Sequence, residues 1–178
     1  MFQRNGVQMA KQAKQAKQLD DLFEDLLKDI YYAEKKILTA LPKMAKAAKS
    51  PDLKAAFEKH ERETEGQVNR LEKVFGLLEQ TPKGKKCEAI EGLVKEGQEG
   101  IKEFKGSPAL DAALLATAQA VEHYEISRYG TLIAWANRLD MPQAAKLLQQ
   151  TLNEEKKTDE ALTELAEAAI NPEAQEAA

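Results

Sequence analysis

Four long segments of this 178-residue chain carry apolar residues at steps of three and four, the spacing of one face of an α-helix. Glycine (9) and proline (6) are scarce, whereas Ala, Leu, Lys, Glu and Gln dominate, and these residues favour helices. In the first segment the repeat runs through Leu19, Phe23, Leu26, Ile30, Ile37, Leu41 and Met44. Such stripes are buried when helices pack against one another, so the pattern predicts an all-α fold.

Proline- and glycine-containing breaks separate the stripes and set the predicted helix ends. They are Ser50-Pro51, Thr81-Pro82-Lys83-Gly84 and Gly106-Ser107-Pro108. Asp140, with Gln143 three residues later, is predicted to cap the last long helix. The predicted long helices cover about 19–49, 51–79, 108–138 and 141–169, and a shorter amphipathic helix covers about 86–104.

The short helix lies in the connection between two predicted helical hairpins. Two hairpins joined by one long crossover correspond to the ferritin-like variant of the four-helix bundle. We therefore predict one ferritin-like bundle domain over residues 18–170, with a flexible polar tail at 1–17 and a disordered tail at 171–178.

Charge and hydropathy exclude several classes of function. The net charge of −4 is mild and its acidic and basic residues interleave, so we expect no nucleic-acid partner. No apolar run approaches the roughly 20 residues of a membrane span, and the N-terminus has no apolar signal core. The single cysteine, Cys87, cannot form an internal disulfide. We predict a cytoplasmic protein without membrane contact.

Acidic residues interrupt the middle of each long apolar stripe. A single glutamate on a long helix usually faces solvent, but here every long helix carries one mid-stripe. Buried carboxylates need partners or a metal, and converging carboxylates repel one another unless cations separate them. The candidate residues are Glu34 in the first helix, His60 and Glu63 in the second, Glu122 and Glu125 in the third, and Glu154 in the fourth.

The spacing of these carboxylates repeats. Glu34 and Glu63 are 29 residues apart, as are Glu125 and Glu154, and a shift of 91 residues lays the first hairpin on the second. This repeat predicts two halves related by a pseudo-two-fold axis, with a symmetric core of four carboxylates. The stripe favours Glu154 over its neighbour Glu155 as the inward residue, although a small helix rotation would reverse that choice.

Further groups make the predicted site lopsided. His60 and Glu122 lie one turn before Glu63 and Glu125 on helices that run the same way, and Asp159 could reach the same end. The other end offers Tyr31, Gln67 and Tyr129, while His123 is predicted to lie outside the ligand set. We predict two inequivalent metal positions. Imidazole and carboxylate together suit iron, with manganese as the alternative, and a thiol-free set argues against structural zinc.

Five segments of the sequence resemble the YciF/YciE family of bacterial, rubrerythrin-related ferritin-like proteins. They read AEKKIL, HERETEGQVNRLEKVF, KCEAIEGLVKEG, VEHYEISRYGTL and AAKLLQQTLNEEKKTDEALTELA. The resemblance covers residues 19–168 and implies a two-metal bundle, a link to stress responses and a homodimer. It places Glu34, Glu63, Glu122, Glu125 and Glu154 on ligand positions. Ferritin-like sites usually carry Glu-x-x-His on the second and fourth helices, where this chain has Gly66 and Lys157.

Three functions remain open from the sequence. The first is a di-iron or di-manganese oxidoreductase that reacts with peroxide or O₂, although no catalytic residue is assigned. The second is a non-enzymatic stress protein, structural or metal-sequestering, that acts as a dimer. The third is a storage shell, which ranks last because the sequence shows no cage contacts. The missing histidines at Gly66 and Lys157 weaken the catalytic alternative.

Overall fold

A computed structural model describes residues 17–176 of the chain. It confirms the predicted all-helical bundle, and most helix ends fall within a few residues of the predicted positions. The helices are α1 (Leu19–Ala47), α2 (Pro51–Leu77), α3 (Glu88–Glu103), α4 (Leu110–Arg138) and α5 (Pro142–Leu165), followed by a π-helical turn (Ala166–Ile170) and α6 (Asn171–Glu176). No helix in the described range is long and apolar enough to cross a membrane.

The four long helices form a closed ring. Helix α1 packs against α2 and α4, and α5 packs against α4 and α2, while α3 lies on the outside against α1 and α4. The inward stripes meet as a core that fills the bundle on both sides of its polar middle. Its largest fully buried apolar side chains include Phe23, Leu27, Ile30, Leu53, Phe57, Leu71, Phe75, Leu114, Leu132 and Leu148.

Helix α3 returns the chain along the length of the bundle. Just before it, the Lys85 N–H donates to the carbonyl of Lys28, in the first third of α1, at 2.9 Å. Farther along, Gly97 lies so close to α4 that a Cβ there would be 3.0 Å from Cγ2 of Thr117. Beyond it, the Lys49 ammonium donates to the Ser107 carbonyl at 2.8 Å. Because α3 spans this distance, α2 and α4 begin at the same end of the bundle, as the ferritin-like topology requires.

A buried aspartate joins the two hairpins at that end. The carboxylate of Asp111 accepts the backbone N–H groups of Lys49 at 2.9 Å and Ser50 at 2.6 Å. These donors belong to the turn between α1 and α2, where helix geometry leaves backbone N–H groups without partners. Ser50 caps α2 as predicted, because its hydroxyl accepts from the Leu53 N–H. One side chain of α4 therefore fixes the α1–α2 turn.

We expect Asp111→Ala to lower the free energy of unfolding by about 2 kcal/mol, because two partly buried backbone donors would lose a charged acceptor. Asp111→Asn keeps one carbonyl acceptor and should lose less. Urea unfolding of the two variants and the wild type measures both differences. Equal stability of Asp111→Ala and wild type would contradict this assignment.

Two sequence predictions at helix ends are wrong. Asp140 does not cap α5; its φ is +55°, and it closes α4, with the Met141 N–H donating to the Ala136 carbonyl at 2.9 Å. This is a Schellman end, which needs a residue in the left-handed conformation. Residues 171–176 are helical rather than disordered, because Ile170, only 2% exposed, anchors the π-helical turn in the core and α6 contacts α4. The predicted tail at 1–16 and the last two residues, 177–178, lie outside the described residues.

Candidate metal centre

A polar cluster occupies the middle of the bundle, between the two apolar halves of the core. His60 from α2, Glu122 and Glu125 from α4, and Glu155 from α5 each offer one ligand atom, and these atoms lie within 4.8 Å of one another. All four side chains are at most 4% exposed. Glu34 from α1, also fully buried, is near enough to Glu125 for its charge to raise the pKa of Glu125. All four long helices thus contribute to one site.

Helical spacing explains why these residues meet. On α4, Ala118, Glu122, Glu125, Tyr129 and Leu132 are separated by three or four residues and share the buried face. The apolar residues of this face pack α4 against α1 and α5, and the glutamates on the same face are buried as a result. The sequence thus places charge in the core by continuing an apolar stripe through two glutamates.

Neutral donors orient two of the carboxylates from the end of the site opposite His60. The Tyr129 hydroxyl donates to Oε1 of Glu34, and the Gln67 amide donates to Oε1 of Glu155. Tyr129 and Gln67 are themselves fully buried. Tyr129 and Gln67 were both predicted at this end. Each bonds only Oε1 of its carboxylate, so Oε2 of Glu34 and of Glu155 is not used by these donors.

Other polar atoms of the cluster have no hydrogen-bond partner among residues 17–176. The His60 Nε2 lies 3.3 Å from Oε1 of Glu122, but the two atoms are not aligned for a hydrogen bond. Buried polar atoms without partners are rare in native proteins and each costs roughly 1–3 kcal/mol. The unpartnered atoms are Glu34 Oε2, both ring nitrogens of His60, Glu122 Oε2, both carboxylate oxygens of Glu125, and Glu155 Oε2.

Burial controls the protonation of the cluster. It raises the pKa of Glu34 and of Glu122 to about 8, and for Glu34 the charge of Glu155 adds to this effect. Burial, reinforced by neighbouring carboxylates, raises the pKa of Glu125 and of Glu155 well above the usual range. Burial lowers the pKa of His60 to about 4, so its imidazole is neutral at pH 7.

These residues fit a hard or borderline divalent cation. Ionised carboxylates and a neutral imidazole are ligands that iron and manganese accept. A bound cation would favour the ionised carboxylates and so oppose the desolvation that raises their pKa values. The cluster is an acid-rich site whose residues would release protons when a metal binds.

Three predicted site residues lie at the rim of the cluster instead of inside it. The side chain of Glu154 is 31% exposed and pairs with Arg70, that of Glu63 is 27% exposed and lies 2.7 Å from the Lys59 ammonium, and that of Asp159 is 24% exposed and lies 3.2 Å from His123. The preference for Glu154 over Glu155 as the inward residue is therefore wrong. Each residue turns a helix by about 100°, so a small change in helix rotation decides between neighbours.

The pseudo-two-fold repeat survives in the structure, but with other residues at its interior positions. A shift of 91 residues maps Thr64 onto Glu155 and His60 onto Thr151, all four of which are buried. It also maps Glu63 onto Glu154, both of which lie at the rim in ion pairs. The repeat therefore predicts orientation correctly, while the expected symmetric set of four carboxylates is not formed.

The contacts made by Arg70 and by Tyr31 were not predicted. Arg70, one turn beyond Gln67 on α2, holds Glu154 and donates from Nε to the Thr151 hydroxyl at 2.9 Å. The i+3 spacing from Gln67 was the available signal. Tyr31 does not reach the cluster as expected, because it donates to Glu72 at 2.9 Å.

Comparison with known proteins places this chain in a family. The family model described as "Domain of unknown function (DUF892)" matches residues 18–175. The chain belongs to this family. DUF892 is a member of the ferritin-like superfamily, which agrees with the topology described above and with the family resemblance of the sequence.

Relatives of this DUF892 chain include the protein YciF of Escherichia coli K12, 45% identical over 160 residues that make up 89% of this chain and 96% of YciF. The crystal structure of that E. coli stress protein matches with a TM-score of 0.83 over 88% of this chain and 99% of YciF. YcfI of Rhodopseudomonas palustris, described provisionally as a structural protein, is 48% identical, with a TM-score of 0.81 over 83% of this chain and 94% of YcfI. A Xanthomonas campestris protein, 23% identical over 89% of this chain and 98% of its own, matches with a TM-score of 0.72 and shows the fold alone.

This DUF892 chain has other residues at the positions where ferritin-like sites usually carry histidine. Gly66 and Lys157 follow the rim residues Glu63 and Glu154, and Lys157 is exposed. The interior position one turn beyond Glu155 is Thr158, whose buried hydroxyl has no partner within 17–176. The described site therefore has one imidazole, His60, at the Glu122 end.

Proposed function

We propose that this chain binds two divalent metal ions, iron in the first place and manganese as the alternative, within the cluster of Glu34, His60, Glu122, Glu125 and Glu155. The observation that carries the proposal is a set of seven ligand atoms, on five buried side chains, that have no hydrogen-bond partner among residues 17–176. Four carboxylates, when ionised, carry the charge that two divalent cations balance. A single divalent cation would leave two buried negative charges uncompensated.

Residues around the cluster would support this role. Tyr129 and Gln67 hold Glu34 and Glu155 in place by hydrogen bonds to one oxygen each. Arg70 holds Glu154 outside the ligand set, and Lys59 does the same for Glu63. Such supporting contacts commonly change metal affinity by about 10- to 100-fold when removed.

The proposed activity is protection from oxidants in stressed bacterial cells, a role suggested by the description of the relative YciF as a stress protein. Two bound Fe(II) ions would supply the two electrons that, with two protons, reduce one hydrogen peroxide molecule to two water molecules. The chain would hold the ions away from bulk water and would accept and release protons at its buried carboxylates.

A structural or metal-sequestering dimer is the second candidate. It is favoured by Gln67 and Thr158 at interior positions where a catalytic ferritin-like site would carry histidine. The provisional description of YcfI as a structural protein agrees with it. Leu22 and Leu77, 49% and 46% exposed at the same end of the bundle, offer apolar surface for a second copy.

Anaerobic titration of metal-free protein with Fe(II) tests the metal site. We expect two ions per chain in the wild type, and rapid oxidation on addition of peroxide supports the oxidoreductase. Two ions without turnover support the structural or sequestering function, and gel filtration distinguishes a dimer from a storage shell. If neither Fe(II) nor Mn(II) binds, and the Tm stays unchanged with either ion, the metal proposal is wrong.

A further inference from the structure

An apolar cavity of about 40 Å³ reaches the His60 end of the cluster. Helices α1 to α5 all contribute to its wall, which includes Leu41, Phe57, Val94, Ala118 and Val121. Each of these five side chains is at most 8% exposed. The cavity thus lies inside the bundle, with a wall of aliphatic and aromatic groups.

The inner end of this cavity is polar. His60 and Glu122 line it there, together with the Thr158 hydroxyl. Both ring nitrogens of His60, Oε2 of Glu122 and Oγ1 of Thr158 have no hydrogen-bond partner in the described part of the chain. The side chains of Lys43 and Gln98, also in the lining, are exposed and mark the outer end between α1 and α3. The cavity therefore joins the surface to the proposed metal site by an apolar route.

The size of the cavity limits its occupant. A cavity needs roughly 10–15 Å³ to hold one water-sized molecule, whereas an apolar cavity of about 150 Å³ holds benzene. A volume of about 40 Å³ therefore suits a molecule of two or three heavy atoms. The apolar wall offers few hydrogen bonds, so a polar molecule would lose part of its hydration on entry.

We infer that this cavity binds dioxygen and delivers it to the His60–Glu122 end of the metal site. The inference rests on the proposed function and deepens it by naming the oxidant. Dioxygen is small and apolar, so it enters such a cavity at little desolvation cost.

Hydrogen peroxide has about the same size as dioxygen but needs hydrogen bonds. The partly exposed rim carboxylates Glu63, Glu154 and Asp159 give it a polar route. Each O₂ molecule would take two electrons from two Fe(II) ions and two protons, giving hydrogen peroxide, which two further Fe(II) ions and two protons would reduce to two water molecules, as in the proposed function.

Xenon tests the cavity without any metal, because it is apolar and occupies such spaces. Crystals of metal-free protein under xenon pressure should show xenon against Ala118 and Val94. Ala118→Leu, which fills the cavity, should abolish this peak. Ala120→Leu, an exposed position on the same helix, should keep it. An empty cavity in the wild type would overturn the inference, whatever the metal titration shows.

Oxidation rates test the choice of oxidant. In Fe(II)-loaded protein we expect Ala118→Leu to slow oxidation by O₂ about 10-fold or more and to change oxidation by peroxide less than about 2-fold. Val94→Thr keeps the shape of the side chain but adds a hydroxyl to the cavity wall, so it should also slow the reaction with O₂. This variant replaces Ala118→Leu in the test if Ala118→Leu does not fold. Equal slowing with both oxidants, or none with O₂, would refute the inference. Loss of Fe(II) binding in the wild type would instead refute the proposed function, and xenon would still decide the cavity.

Discussion

Replacing Glu155 by glutamine should weaken metal binding about 100-fold or more, because removing one charge from a buried ionic set costs roughly 3 kcal/mol or more. The same change should stabilise the metal-free protein. Burial and the neighbouring charge of Glu122 raise the pKa of Glu155 well above the usual range, so its ionised form is unfavourable there. A glutamine carbonyl can still accept from Gln67. The variant should therefore fold, with opposite effects on stability with and without metal.

The neighbouring residue supplies the control. Glu154→Gln removes the same charge one position earlier, at a side chain that is 31% exposed and pairs with Arg70. It should change metal affinity by less than about 10-fold, the lower end of the effect of a supporting residue. Isothermal titration with Mn(II) and thermal unfolding with and without metal give both quantities. If Glu154→Gln proves the more damaging variant, the ligand proposal for Glu155 fails.

The metal-free protein should lose stability as the pH rises from 6.5 to 8, by about 2 kcal/mol per pH unit. Glu34 and Glu122 have a pKa of about 8 in the folded protein and 4.5 as a reference. Between these values the folded state binds protons that the unfolded state has released, so stability falls with rising pH. His60 acts in the opposite direction, since its pKa falls from 6.5 to about 4, but this contribution fades as the pH rises above 6.5 and is smaller than that of the two carboxyl groups.

Urea unfolding at half-unit steps of pH measures this slope. Bound metal should remove the fall, because the cation favours the ionised carboxylates. Glu122→Gln should flatten the slope in the metal-free protein, since it removes one of the two groups with a pKa of about 8. A metal-free protein that gains stability between pH 6.5 and 8 would show that the buried carboxylates ionise freely.

Apolar periodicity was sufficient to predict the helices and the two hairpins, because long amphipathic stripes leave few ways to bury their faces. The same periodicity placed His60, Glu122 and Glu125 among the buried residues, as observed. It failed for Glu154, where two adjacent glutamates compete for one inward direction. It also failed for Glu63, because Thr64 takes the interior position beside it.

The sequence by itself determined the four long helices and their order, the helical crossover and the presence of acidic residues at mid-height of the bundle. These follow from local spacing and from breaks at proline and glycine. The tertiary structure decided which carboxylates enter the core, because that depends on the rotation of each helix against its neighbours, to within a fraction of the 100° between residues. It also decided the ion pairs of Arg70 and Lys59 and the apolar cavity beside His60, which form between helices distant in sequence.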